Sequence, residues 1–253
     1  TGTYTNLDSG SDWLSHIRLE EVMRIIELFS GRHKSFATQA KRLGHEVLTV
    51  DIDPDNKPDI VADIGAMTMV DIPEHWHQPD IVWASPPCTT FSIASVSTHW
   101  EMVTEQSRKP RTQLASNHHL LICHLMGLLY QLHPKYWCIE NPRGSLRKLY
   151  PMTDVNKYTV TYCQYGDTRM KPTDIWVNPN LYEIWKPRPM CKNGDPCHTA
   201  APRGSATGTQ NANEDPLDRS RVPGELCEEI LTAVISTAQQ QLTFYSTQGG
   251  VLC

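Results

Sequence analysis

The sequence predicts an α/β fold: a doubly wound, mostly parallel sheet with helices on both faces. Short β-rich runs alternate with helical segments through the N-terminal half of the chain, the pattern of parallel βαβ units. Each run stops at a turn rich in Gly, Pro, Asp or Ser, where open parallel sheets bind their ligands. There is no internal repeat or low-complexity tract, and 253 residues suffice for one good core with a small appendage.

Met23–Leu28 reads as the first strand and ends in the turn Phe29-Ser30-Gly31. Ser35–Leu43 follows as a helix, stopped by Gly44 just past its end. Glu46–Val50, Asp59–Val61 and Ile81–Ala84 supply three further strands. They close on Asp51-Ile52-Asp53-Pro54, Ala62-Asp63-Ile64 and Ser85-Pro86-Pro87-Cys88. Ser95–Arg111 reads as a polar loop and Thr112–Leu132 as a long apolar helix leading to strand Tyr136–Glu140. Val155–Tyr162 alternates like a strand that Thr173–Val177 could pair with. From Asn178 to Asp218 Pro, Gly, Asn and charged residues dominate, so an irregular excursion is expected before a closing helix, Val222–Gln240. The expected organisation is an extension outside the fold (1–22), a core (23–177), the insert (178–218) and a C-terminal helix returning to the core (219–253).

Composition narrows the function. No apolar run approaches the ~20 residues needed to span a bilayer, so no membrane role is expected. Thr1–Val22 lacks the apolar centre of a secretory signal. The eight cysteines are scattered, several within apolar stretches, so free thiols in a reducing cytoplasm are expected. The net charge of −5 hides an asymmetry: residues 1–100 carry 7 Lys/Arg against 14 Asp/Glu, and residues 103–203 carry 14 against 7. A basic middle could hold a polyanion over one face, although a solvated surface explains it equally well.

Four groups at strand ends, and a partner group at Glu140, carry chemistry. Gly31 lets the backbone turn close to a ligand, and the helix after it offers its first N–H groups. Asp51 lies 20 residues further on, where doubly wound folds place a carboxylate for ribose hydroxyls. Asp53 could equally cap the turn before Pro54, and Asp63 could bind a ligand amine or cap its own turn. Cys88 stands behind two rigid prolines that hold its thiol over the sheet edge, and a thiol suits attack on an electron-poor ring carbon. Glu140, at the end of the next sheet strand, could exchange a proton with a ring nitrogen in the same crevice.

Together these residues resemble the DNA cytosine carbon-5 methyltransferase family. The matching stretches are E-L-F-S-G (27–31), V-D-I-D (50–53), A-D-I (62–64), D-I-V-W-A-S-P-P-C-T-T-F-S (80–92), I-E-N-P (139–142) and Y-G-D-T-R-M-K (165–171). The resemblance covers Met23 to about Trp176, resumes near Arg219–Val234, and is greatest to compact viral and bacteriophage forms. It implies a seven-stranded, Rossmann-like S-adenosylmethionine-dependent methyltransferase sheet and a DNA substrate. It implies that Cys88 adds to carbon 6 of a flipped cytosine, that Glu140 assists at N3, and that the methyl group goes to carbon 5. Phe29, Ser30, Gly31, Asp51, Ile52, Asp63, Ile64 and Pro86 are then expected around the S-adenosyl-L-methionine. Arg169, with Lys171, would hold the base carbonyl or a phosphate. Ser92, Asn141 and the basic residues Arg108, Lys109 and Arg111 would face nucleic acid. Ser95–Arg111 would be the mobile loop that closes over the site.

Three departures qualify the resemblance. Arg32-His33-Lys34 stands where the family has a second glycine. Arg169-Met170-Lys171-Pro172-Thr173 replaces a Q-R-R-E-R-type run. Only about 40 residues separate Trp176 from the closing helix, too few for a usual target recognition domain. Specificity is therefore expected to be short, lax or supplied by a protein partner. Within that gap Cys191, Cys197 and His198, with Cys163 nearby, are zinc-type ligands. The spacing between Cys191 and Cys197 is not that of a usual knuckle, so ordinary loop cysteines and no metal are expected. Two other readings stay open: methylation of RNA by the same chemistry, and a non-catalytic nucleic-acid-binding relative.

Overall fold

The structure, a computed structural model, describes residues 22–105, 107–192, 194–199 and 216–248. The expected extension lies outside these residues apart from Val22. The chain runs β1 (Arg24–Leu28), α1 (Ser35–Arg42), β2 (Glu46–Asp51), β3 (Ile60–Val61), β4 (Ile81–Ala84), α2 (Val96–His99), β5 (Trp100–Thr104) and β6 (Ser107–Pro110). It continues through α3 (Gln113–Leu132), β7 (Tyr136–Pro142), β8 (Lys157–Thr161), β9 (Pro172–Val177), α4 (Pro179–Ile184), α5 (Pro216–Arg219) and α6 (Gly224–Gln248).

Seven strands form one sheet in the order β3-β2-β1-β4-β7-β9-β8. The first five are parallel, and β9 runs antiparallel to both β7 and β8. The expected fold class is therefore the observed one. Two successive antiparallel pairings make β8 parallel to β7 again. The turn after β8 and the start of β9 consequently reach the same sheet edge as the C-terminal ends of β1, β2, β4 and β7.

Both faces are covered, as near-continuous apolar strands require. Successive residues point to opposite faces: Ile26 and Val82 pack into one core cluster with Ile122, Leu125 and Leu132 of α3. Ile25, Ile81 and Trp83 pack into the other, with Phe36 and Ala40 of α1 and Leu226, Ile230 and Leu231 of α6. Phe36 stacks on Trp83 with ring centroids 4.8 Å apart. Thr112 caps α3 by accepting from the Ala115 N–H, and Gly44 after α1 takes φ 86°, as expected of a residue that ends a helix.

Two expectations need correction. Ser95–Arg111 is not an irregular loop: α2 leads into an antiparallel hairpin of β5 and β6. Trp100 anchors it, buried against Phe91, with its indole N–H on the Thr90 carbonyl at 2.8 Å. Nor is the insert irregular from its start. Asn178 caps α4 through the Leu181 N–H, and Trp185 is buried beneath the strap that follows. Arg188 then ties the strap to α6 through Glu225 and Glu229.

Among the buried polar groups, Asp174 on β9 is fully enclosed and is held by Arg147 and by the Thr159 hydroxyl. Removing the cation would strand a carboxylate in the core. Arg147→Met is expected to cost about 3–5 kcal/mol, read by urea denaturation at neutral pH.

Candidate active site

Glu27 is buried within β1, and both its carboxylate oxygens accept N–H groups of the first turn of α1, Phe36 at 3.2 Å and Ala37 at 2.9 Å. The helix start is therefore closed by the protein's own carboxyl rather than left open for a ligand, which corrects the sequence-based expectation. The turn between them is forced: Phe29, Gly31 and Lys34 all take positive φ. Asp51 closes the neighbouring turn, accepting the Gly31 N–H at 2.7 Å and the Asp53 N–H at 2.9 Å.

This corner retains features that suit a small ligand. The Ser30 hydroxyl is buried without a hydrogen-bond partner, and Ile52, which directly follows Asp51 at the end of β2, is 64% exposed. A buried orphan hydroxyl next to a carboxylate and an exposed apolar side chain fits an adenosyl group. Asp53 caps the short turn at Pro54–Asn56, and Asp63 accepts the Gly65 N–H at 2.9 Å, so both perform the capping role weighed for them. Ile64 points into the core.

Cys88 stands at the end of the loop that leaves β4, exposed to solvent. The loop is pinned at each step. Ser85 N–H donates to the Leu28 carbonyl, and the Trp83 indole donates to the Ser85 hydroxyl. The Cys88 carbonyl accepts from Phe91 and Ser92. Asn141 is fully buried on β7, and its amide donates to the Pro86 carbonyl at 2.9 Å. Its geometry makes it a brace for the Pro-Pro-Cys loop rather than the nucleic-acid contact expected of it. Pro86 itself is buried beneath that brace.

Gly144 completes the clamp. It bridges Ser92, and a Cβ there would lie 2.1 Å from the Phe91 carbonyl oxygen, so no other residue fits without moving backbone. Ser145 donates both its N–H and its hydroxyl to that same oxygen.

Glu140 is buried next to this loop, and the Tyr162 hydroxyl donates to its Oε1 at 2.8 Å. Tyr162 was not foreseen; nothing in the alternation of its strand distinguishes it from a core tyrosine. Burial raises the Glu140 carboxyl above its ordinary range, opposed by the Lys171 charge and the Tyr162 hydrogen bond. Although Cys88 opens to solvent on one side, the protein packed round its sulfur and then the Glu140 charge raise the thiol, while Lys171 and Arg219 pull it down. Lys171 lies 4.5 Å over the Tyr162 ring and donates to the Arg219 carbonyl. It is thus the cation that shares an environment with Cys88 and Glu140.

Arg169 has a carboxylate partner of its own. Its guanidinium pairs with Asp167 at 2.5 Å, on the wall of a cleft of about 560 Å³ that Asp218 and Arg221 also line. The basic residues of the hairpin also have local partners. Arg108 donates to the Thr104 and Ser107 carbonyls, Lys109 pairs with Glu101 at 3.2 Å, and Arg111 donates to the Ser97 carbonyl. The Ser92 hydroxyl bonds Ser95 within the same loop.

Burial pushes the Glu27 carboxyl up to about 7, against the lowering effect of the two N–H groups it caps. The unfolded chain ionises this group near 4.5. Its contribution to stability is therefore full below that value and is lost as pH rises through about 7. Denaturation midpoints measured across that window should fall with pH in the native protein, and Glu27→Gln should flatten the decline.

A viral protein of Frog virus 3 (isolate Goorha), named "Probable DNA (cytosine-5)-methyltransferase", is 34% identical over 159 residues, 62% of this chain and 71% of the relative. No protein-family model matches the chain. A solved structure assigned as a prophage-encoded DNA modification methyltransferase of E. coli aligns with a TM-score of 0.47 and 16% identity. It covers 68% of this chain, which spans about half, 52%, of that structure. A type I restriction-modification methyltransferase subunit of Streptococcus thermophilus aligns at 0.35 and 12% identity, over 70% of this chain and 46% of that one. At those scores the fold rests on the strand order described above and not on the likeness.

Proposed function

The chain belongs to the DNA (cytosine-5)-methyltransferase family, and from that premise we propose that it methylates carbon 5 of cytosine in DNA with Cys88 as nucleophile. The observation that carries the reading is the meeting of Cys88, Glu140 and Lys171 where β4 and β7 end side by side.

Phe29, Ser30, Gly31, Asp51 and Ile52 would hold the S-adenosylmethionine, which when bound supplies the electrophilic methyl group that carbon 5 accepts. The remaining work belongs to the chain. The Cys88 thiolate adds to carbon 6 of a cytosine turned out of the stack. Glu140, whose carboxyl is raised above its ordinary range by burial, donates at N3, so the charge that Cys88 brings into the ring is neutralised as it forms. That makes carbon 5 nucleophilic. Once carbon 5 is substituted, its proton leaves to water, the ring double bond re-forms, Cys88 departs as the thiolate, and N3 returns its proton to Glu140. Lys171, rather than Arg169, supplies the positive charge beside these groups. The strap after α4 leaves little chain with which to read a target sequence, so recognition is expected to be short or partner-assisted.

A DNA duplex carrying 5-fluorocytosine should form a covalent adduct in the presence of cofactor, because a fluorine on carbon 5 cannot leave as a proton does. Cys88→Ala should abolish the adduct; its persistence would remove Cys88 from the mechanism. Transfer to RNA but not DNA would overturn the substrate. Glu140→Gln should keep cofactor binding yet lose about 10²–10⁴ in turnover. Lys171→Gln should slow adduct formation more than Arg169→Gln does. Because the reactive form pairs a Cys88 thiolate with a protonated Glu140, adduct formation should follow a bell-shaped pH profile; a rise that never turns over would remove Glu140 as the proton donor.

A further inference from the structure

Outside the catalytic crevice, four soft ligands meet at one point. Cys163 sits in the turn after β8, and Cys191, Cys197 and His198 come from the strap of the insert. Their ligand atoms all lie within 4.8 Å of one another, the one group of this kind among the described residues. The sulfur of Cys163 is 3.1 Å from that of Cys191 and 3.6 Å from that of Cys197. Nδ1 of His198 is 3.6 Å from the Cys191 sulfur and 3.4 Å from the Cys197 sulfur.

We infer that Cys163, Cys191, Cys197 and His198 form a structural zinc site that fastens the insert to the catalytic domain.

Tetrahedral zinc, with bonds of about 2.3 Å to sulfur and about 2.0 Å to nitrogen, spaces its ligands by roughly 3.8 Å between sulfurs and roughly 3.5 Å from sulfur to nitrogen. The two sulfur–nitrogen distances, 3.6 and 3.4 Å, bracket that value. The sulfur separations of 3.1 and 3.6 Å are both shorter than the roughly 3.8 Å between zinc-bound sulfurs, so the Cys163 and Cys191 sulfurs would move apart on binding. Three thiolates and an imidazole make a closed, soft set with no position left for water, the arrangement of structural rather than catalytic zinc. Two neighbouring contacts hold the ligands in place. The Gln164 side-chain amide donates to the Cys197 sulfur at 3.3 Å, and the Cys191 N–H is held by the Thr161 hydroxyl. A disulfide is the rival arrangement, but it would join two of the three sulfurs and leave the third and His198 gathered there for no reason.

Sequence spacing alone favours ordinary cysteines, because the nearest pair is separated by five residues and the fourth ligand lies 28 residues before Cys191. The fold supplies that ligand: β8 ends beside the strap, so Cys163 and Cys191 become neighbours. The consequence reaches the catalytic crevice, since the turn that carries Cys163 begins with Tyr162, which holds Glu140. A metal there would also furnish the folding free energy that a strap with little core of its own cannot.

The test is metal analysis of the full chain, expressed in zinc-supplemented medium and purified in reducing buffer without chelator. About one zinc per chain is expected, and less than about half an equivalent overturns the site. Cys197→Ser should lose the metal; full zinc in that variant would place the ion elsewhere. In case the serine variant misfolds, His198→Cys, which keeps a four-ligand soft set, should retain about one equivalent. Cobalt exchanged into the native chain should give the visible absorption of a tetrahedral cobalt–thiolate centre. An octahedral spectrum, or a Cys163–Cys191 disulfide in protein prepared without air, counts against the proposal.

Discussion

The parallel pairing of β4 with β7, which sets Ala84 against Ile139, is the constraint on which the chemistry of this protein depends. Because both strands run the same way, what leaves β4 and what ends β7 must emerge at one edge. Cys88 and Glu140 lie 52 positions apart in the chain and meet for that reason. The register is in turn protected by the core. Trp83 is locked against Phe36 on one face while Val82 and Ala84 pack beneath α3 on the other, so slipping by one residue would exchange the two faces.

Around this pairing the protein devotes its buried polar groups to holding loops still. Asn141 braces Pro86, Ser145 and Gly144 close on the Phe91 carbonyl, and Trp100 reaches the Thr90 carbonyl. Each such bond contributes about 1 kcal/mol to stability, but together they leave the nucleophile's backbone few places to go. The cofactor corner is built the same way. Glu27 and Asp51 use their carboxylates to fasten backbone N–H groups of adjoining turns. Ser30, buried and unpaired, is the polar atom left over.

The antiparallel end of the sheet contributes what the parallel part lacks. Reversing direction twice through β9 and β8 returns the chain to the working edge. That delivers Tyr162 to Glu140 and Lys171 to the neighbourhood of Cys88, and it places Cys163 against the strap of the insert. The same small turn therefore touches the acid, the cation and the proposed metal ligands.

The motifs at strand ends were legible in the sequence because rigid prolines, turn glycines and acids are local signals, and alternating strand and helix patterns determine the parallel order. The hairpin between β5 and β6 was not legible, since its strands are short and polar and are anchored by Trp100 on Phe91 and the Thr90 carbonyl, contacts made by the fold. The division of labour between Arg169 and Lys171 was equally hidden. Both are cations two residues apart, and only the folded backbone shows Asp167 taking one of them while the turn into β9 aims the other at Tyr162. By itself the sequence determined the sheet, the family resemblance and the candidate nucleophile, all of which depend on residues near one another in the chain. Which groups flank that nucleophile, and which cysteines meet a histidine, only the tertiary structure decided, because those neighbours are brought together by strand direction rather than by spacing.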